Sequence, residues 1–447
     1  MGHCLNEVMS VQKLLKALGA ALAIIALCAP LIFWPVDEAQ TSGMETSTAT
    51  VTVPATVVVP TTLPASQTTT TEPSPEPTEP TSSTTTTTEP VEITVAAVGD
   101  VLTHMPIVNS VRDSKTGSYF FGPIFSPIAP YLRAADYTVA NLETRLAGAA
   151  AGYSGYPLFN SPRELAYALK DIGIDLAATA NNHSLDMGWN GIVKTLDNLD
   201  LAQLAHVGTY RSAKEKAEPF VVDIRGIQVG FINYTASLNG LPVPKDHPYA
   251  VDVLDVERVA DDAATARAWG ADVVIAILHY GTEYVREPSE EQVDLSRELL
   301  SRGVDVILGS HPHQVQPISH IFEYNGWKVT DKYVAYSLGN FVSNQPWRYS
   351  DSGIVAYVHI EKRGLRAFVT GVSYLPVYVQ KGRAAGKVSY RVVPVLPGLE
   401  PDTDIPLSDA QRQRMAAVWE ELRPLLYSPN EGISPLDPGD LTYLGRR

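Results

Sequence analysis

The chain has 447 residues, 45% hydrophobic and 19% charged, with 34 basic against 49 acidic side chains and only 2 cysteines. It can bury a large core, which excludes a wholly disordered or disulfide-stapled protein. The formal charge of -15 argues against a nucleic-acid binder, which needs a basic face to neutralise phosphates. That charge is unevenly spread: residues 1–36 carry Lys13 and Lys16 against Glu7, whereas 37–91 hold Asp37, Glu38, Glu45, Glu72, Glu76, Glu79 and Glu89 and no base. Taking +1 and -7 from -15 leaves -9 for residues 92–447, so the main body is only moderately acidic.

The first element is the uncharged run ALGAALAIIALCAPLIFW at residues 17–34. A helix of that length rises about 27 Å, close to one bilayer core. Bases precede it and Asp37 and Glu38 follow, so residues 1–36 read as a cytoplasmic tip and single-pass anchor, with the rest of the chain extracytoplasmic at the cell membrane. A cleaved signal peptide is the competing reading, but it wants a small-x-small site that is not cleanly placed here. Residues 37–91 follow as a Thr/Pro/Ser-rich stalk with too little apolar surface to offset its ordering entropy. Both cysteines, Cys4 and Cys28, lie at or before the membrane segment, so the exported part must be held by its core alone.

Residues 92–398 alternate strand and helix. EITVAAVGD, YTVANLE, DLAATANNH, DVVIAILHYG and VDVILGSHPH are short apolar runs that each end in polar residues. Between them SPRELAYALKDIG, with Ser161 and Pro162 at its start, GWNGIVKTLDNLD, DVERVADDAATARAWG and SEEQVDLSRELLSRG read as helices. The two-residue periods of FVVDIRGIQVGFINYT, KYVAYSLGNFV, IVAYVHIEKRG and RAFVTGVSYLPVYVQ predict antiparallel hairpins. The mixture predicts an α/β sandwich, two sheets with helices outside. Residues 399–447 form a C-terminal extension in which Ser408, with Gln411 completing a capping box, starts one helix running to about Leu425.

The informative fact is which residues stand at the strand ends, where ligands collect in α/β sheets. They are Asp100 and His104; Asn141 and Glu143; Asn181, Asn182, His183 and Asp186; His279 and Glu283; and His311 and His313. Carboxylate, amide oxygen and imidazole suit borderline divalent ions. Any one of them alone is more often a hydrogen-bonded or capping residue, but five such strand ends together are hard to explain that way. His311 and His313, two apart in an extended segment, would point the same way and serve adjacent ions. His206, His247, His320 and His359 lack such companions and read as surface or packing residues.

The series GDVLTH, ANLET, NNHSLD, HYGTEY, GSHPHQVQP and SLGNF, over roughly residues 92–345, resembles the CapA family of poly-gamma-glutamate capsule synthesis proteins, whose domain is similar to calcineurin-like metallophosphoesterases. The resemblance implies a four-layer α/β/β/α sandwich of metallophosphoesterase type. It also implies one or two divalent ions, with Mn, Fe or Zn the best matched. By position, Asp100 and His313 resemble ligands of one ion, Asn182, His279 and His311 ligands of the other, and Glu143, with Asn141 beside it, the bridge. His183 resembles the proton donor of such enzymes and Asp186 its orienting partner. His104, Glu283, Ser337 and Asn340 are further candidates. The spacing from Asp100 to His104 departs from the Asp-x-His of phosphoesterases, which leaves one ion as an alternative to two.

The implied role is a metal-dependent hydrolase of capsule or cell-envelope polymer synthesis. Its partners would be an anionic polymer or its precursor, other capsule-synthesis membrane proteins, and the membrane itself through residues 17–34. A non-catalytic polymer-binding or export factor and a phosphoesterase unrelated to capsule are the alternatives. Arg145, Arg163, Arg286 and Arg348 are candidate cations for a polyanion, which a body of net -9 would otherwise repel.

Overall fold

The computed structural model describes residues 89–324, 329–384, 386–400, 403–428 and 431–436. The anchor expected at 17–34 and all of the stalk before residue 89 lie outside the described residues. Among the described residues no helix is long and apolar enough to cross a membrane.

Among the described residues fifteen strands form two sheets. One contains β1 (Val91–Val101), β2 (Tyr137–Asn141), β3 (Leu176–Ala178) and β4 (Ala205–Val207) as parallel neighbours, and continues on the other side of β1 through β12 (Ser352–Arg363), β13 (Arg366–Ala384) and β14 (Lys387–Pro394), which are antiparallel. The other runs β5 (Phe220–Ile224), β6 (Ile227–Thr235), β7 (Val273–His279), β8 (Val306–Ser310), β10 (Val329–Ala335) and β9 (Ile318–Tyr324). The short strands β11 (Asn340–Val342) and β15 (Ile433–Pro435) pair with β1 and β13.

Side-chain alternation builds the layers. Ile93, Val95 and Ala97 of β1 and Val273, Ile275 and Ile277 of β7 enter one core between the sheets. The alternate residues Ala96 and Val98 face helices that include Glu164–Asp171 and Gly188–Leu201, while Val274, Ala276 and Leu278 face Val256–Ala268 and Glu290–Ser301. The result is helix, sheet, sheet, helix. Ser289 caps Glu290–Ser301 through a capping box with Gln292, and Ser408 caps Asp409–Leu426 through one with Gln411. That last helix inserts Met415, Val418 and Leu422 into the inter-sheet core.

Three local expectations need correction. KYVAYSLGNFV is not a hairpin: β10 belongs to one sheet, and after Ser337–Gly339 the chain crosses to the other as β11, parallel to β1. The helix starts at Glu164 rather than at Ser161, whose hydroxyl bonds Thr103 and Thr144. The segment with His311 and His313 is not extended, since both have left-handed backbones, with φ of 101° and 57°.

Candidate metal centre

The parallel strands of both sheets deliver their carboxyl ends to one place. In register, Asp100 at the end of β1 lies between Asn141 of β2 and Asn340 of β11, and His279 ends β7 opposite Ser310 of β8. Two glycines permit this closeness: a Cβ on Gly99 would meet the Gly339 carbonyl oxygen at 1.9 Å, and one on Gly309 the Tyr336 oxygen at 2.0 Å. Each stands immediately before a motif's polar end.

Two triads of donor atoms result. Asp100, Glu143 and His313 form one, and Glu143, His279 and His311 the other, each with its ligand atoms within 4.8 Å of one another. Glu143 is common to both. In the first, His313 Nδ1 lies 2.9 Å from Asp100 Oδ2, and His313 Nε2 lies 3.8 Å from Glu143 Oε1. In the second, His279 Nε2 lies 3.4 Å from Glu143 Oε1, 3.1 Å from His311 Nδ1 and 3.0 Å from Asn182 Oδ1. The turn after β8 therefore sends its two histidines to different triads rather than in one direction.

A supporting ring fixes these groups. Asn141 turns its amide nitrogen inward, donating to Asp100 Oδ1 at 2.7 Å, while its oxygen accepts from Asn181 Nδ2 at 3.3 Å. It thus orients Asp100. Ser310 Oγ lies 2.9 Å from His279 Nδ1, which leaves Nε2 for the triad. Asn340 Nδ2 donates to the His313 carbonyl at 3.3 Å, and Ser337 accepts from the Gly339 amide at 3.2 Å within the crossing turn.

The donor set fits divalent cations. Both Glu143 oxygens and Asn182 Nδ2 are buried without a hydrogen-bond partner, a costly state for a carboxylate unless a cation compensates it. Burial, followed by the charge of Asp100, pushes the Glu143 carboxyl well above the usual range. Burial and then the neighbouring His311 hold the His279 imidazole well below its usual value, and burial and then His313 bring His311 down to about 4. The two imidazoles held neutral are good ligands.

Beside the triads, His183 Nδ1 lies 2.7 Å from Asp186 Oδ2, which also accepts from the Phe159 amide at 2.6 Å. The carboxylate can only accept, so Nδ1 carries the proton of the neutral ring. His183 lines a cleft of about 790 Å³ together with His104, His313 and Glu283. His104 and Glu283 belong to this cleft and to neither triad. His104 Nδ1 lies 3.3 Å from the Leu102 carbonyl oxygen, and burial takes its imidazole down to about 4.

The arginines expected to meet substrate do not line this cleft. Arg145 is wholly buried, donating from Nη2 to the Leu142 carbonyl at 2.9 Å, and burial brings its guanidinium down to about 10. Arg286 and Arg348 stack on the Tyr349 ring at 4.2 and 4.4 Å, and Arg163 stands exposed at the start of a helix. His206, His247, His320 and His359 are engaged elsewhere, with Asp200, Tyr249, Asp331 and Ser373. What sequence reasoning missed is the far wall of the cleft, including Tyr156, Trp347, Lys381 and Tyr390. Loops and a strand pair far apart in sequence bring these residues together, and no local motif marks them.

Residues 94–345 match the family of the bacterial capsule synthesis protein PGA_cap. The chain belongs to that family. Among its relatives, the PGA biosynthesis protein CapA of Bacillus subtilis is 30% identical over 285 residues, which are 62% of this chain and 70% of that protein. The capsule biosynthesis protein CapA of Bacillus anthracis is 28% identical over 301 residues, 65% of this chain and 68% of that one. A solved structure, that of the calcineurin-like phosphoesterase YfkN of Bacillus subtilis, superposes with a TM-score of 0.37 at 15% identity, over 80% of this chain and 99% of that one. Both triads and the His183–Asp186 pair lie inside the segment that matches the PGA_cap family.

Proposed function

We propose that this family member is a metal-dependent hydrolase of metallophosphoesterase type that acts on an anionic capsule or cell-envelope polymer, or its precursor, on the outer side of a membrane spanned by residues 17–34. The observation that carries the reading is Glu143, shared by two buried donor triads beside a carboxylate-oriented histidine that lines an open cleft. The names of the two Bacillus relatives, both biosynthesis proteins called CapA, support the polymer assignment.

Asp100, His313 and Glu143 would hold one ion; Glu143, His279, His311 and Asn182 the other. When bound, such ions supply Lewis acidity and a water acidic enough to attack near neutral pH. The chain's own residues do the rest. Asn141, Ser310 and Asn340 hold Asp100, His279 and the His313 backbone in place. Asp186 keeps the His183 proton on Nδ1 and stabilises the imidazolium, so a proton gained at Nε2 can be passed to a leaving group in the cleft.

The test is turnover of a generic phosphodiester by the metal-loaded, full-length protein, repeated with His183→Ala. Turnover that falls in the variant while metal content stays constant supports the hydrolase. Bound metal without turnover would refute it and leave polymer binding as the function. Carbonate extraction of membranes, with and without residues 1–36, tests the anchor: release of the intact chain would exclude it.

A further inference from the structure

The cleft extends beyond the triads, and much of its far wall lies outside the segment matching the family: Trp347, Asp351, Tyr378, Lys381 and Tyr390 all follow residue 345. Lys381, on β13, is among the described residues the one lysine or arginine lining the cleft. Its Nζ donates to Asn344 Oδ1 at 2.9 Å and lies 5.7 Å from the centre of the Tyr390 ring. The Tyr390 hydroxyl donates to the same Asn344 oxygen at 2.6 Å. Two neutral groups thus hold the ammonium in place, and among the described residues no carboxylate lies within ion-pairing distance of it.

Two acids line the cleft, Glu283 and Asp351, and the second is already engaged. Asp351 sits beside β13, its carbonyl accepting from the Val379 amide at 2.8 Å. Its carboxylate is held by both arms of Arg414, at 2.9 and 2.8 Å, from the helix Asp409–Leu426. Bidentate pairing of this kind is the strong form of the ion pair. This exposed part of the wall therefore carries one ammonium that no described carboxylate pairs, beside aromatic side chains: Tyr156 is 81% and Trp347 56% exposed.

We propose that this far wall is a carboxylate subsite. Lys381, positioned by Asn344 and Tyr390, binds a carboxylate of an extended acidic chain whose backbone runs along Trp347 and Tyr156 toward the triads. One ammonium with neutral neighbours matches a singly charged carboxylate better than a phosphate, which favours several donors or cations. The subsite deepens the hydrolase reading and rests on it only in that the same acidic polymer is the substrate.

The experiment is calorimetric titration of the full-length, manganese-loaded protein with a γ-linked glutamate oligomer and with its uncharged carboxamide counterpart. Lys381→Ala is expected to weaken binding of the acidic oligomer about tenfold, as loss of one charge-assisted hydrogen bond does, with Lys381→Arg close to wild type. The carboxamide oligomer should bind more weakly and ignore the substitution. Metal content should stay unchanged in Lys381→Ala. Equal affinity for the acidic oligomer in wild type and Lys381→Ala overturns the subsite, and so does equal weakening for both oligomers. Wild type that binds neither oligomer yet turns over phosphodiester also overturns it, while leaving the hydrolase intact. Lys381-dependent binding without turnover upholds the subsite and removes the hydrolase.

Discussion

Replacing Glu143 by Gln should move thermal stability in opposite directions with and without metal. The carboxylate serves both triads, so Glu143→Gln weakens both positions at once. For wild type at an ion concentration 100 times the Kd, binding stabilises the fold by about 2.7 kcal/mol, which raises Tm by about 5 °C for a domain of this size. If the variant binds about 100-fold more weakly, the gain at the same concentration falls to about 0.4 kcal/mol, less than about 1 °C. Without metal the sign reverses. Both Glu143 oxygens are buried and unpartnered, and the carboxyl is held well above its usual range. The unfolded chain then binds fewer protons than the native one as pH rises past the ordinary glutamate range, so stability falls with pH there. The variant lacks that loss and should be at least as stable as wild type near pH 8. Scanning fluorimetry with and without manganese reads both effects. Equal metal-induced shifts in the two proteins, or a metal-free variant several degrees less stable, would refute the shared-ligand reasoning.

Asp186→Asn should keep its metal but slow phosphodiester turnover, on the order of 10²-fold, because His183 loses the partner that sets its proton; unchanged turnover demotes the pair to a structural role. His104 is held at about 4, so the unfolded state binds its proton first as pH falls below about 6.5, and stability is lost from there down to about 4. That loss has a slope of at most about 1.4 kcal/mol per pH unit, and His104→Asn should flatten it in urea midpoints measured across the window. Met415 is fully buried in the inter-sheet core, so Met415→Ala should cost about 2–5 kcal/mol by urea unfolding. A cost below about 0.5 kcal/mol would mean that the C-terminal helix is not part of the cooperative fold.

Much of the centre was legible because strand ends are local signals: an apolar run that stops at Asp100, Asn141, His279 or Ser310 announces both the strand and the edge where it delivers its polar group. Capping boxes at Ser289 and Ser408 are equally local. Periodicity failed where it carried no direction. KYVAYSLGNFV keeps its alternation through Ser337–Gly339, yet the chain changes sheets there, a choice made by long-range pairing of β11 with β1. The turn holding His311 and His313 adopts left-handed backbones that no local pattern announces, at a typical cost of about 1–3 kcal/mol each. The far cleft wall was invisible because Asn344 meets Lys381 across 37 residues of sequence and Tyr390 across 46. The arginines misled for the opposite reason: composition identifies cations but not which are buried, as Arg145 is, or stacked, as Arg286 and Arg348 are.

The most direct test of the central claim is metal stoichiometry by elemental analysis of the full-length protein, reconstituted with manganese and dialysed, beside His311→Ala, with phosphodiester turnover measured on the same samples. Two triads sharing Glu143 predict close to two equivalents with turnover in wild type, and loss of metal and turnover together in the variant. A wild-type protein that retains no metal, or a His311→Ala variant with full stoichiometry and undiminished turnover, would contradict the account.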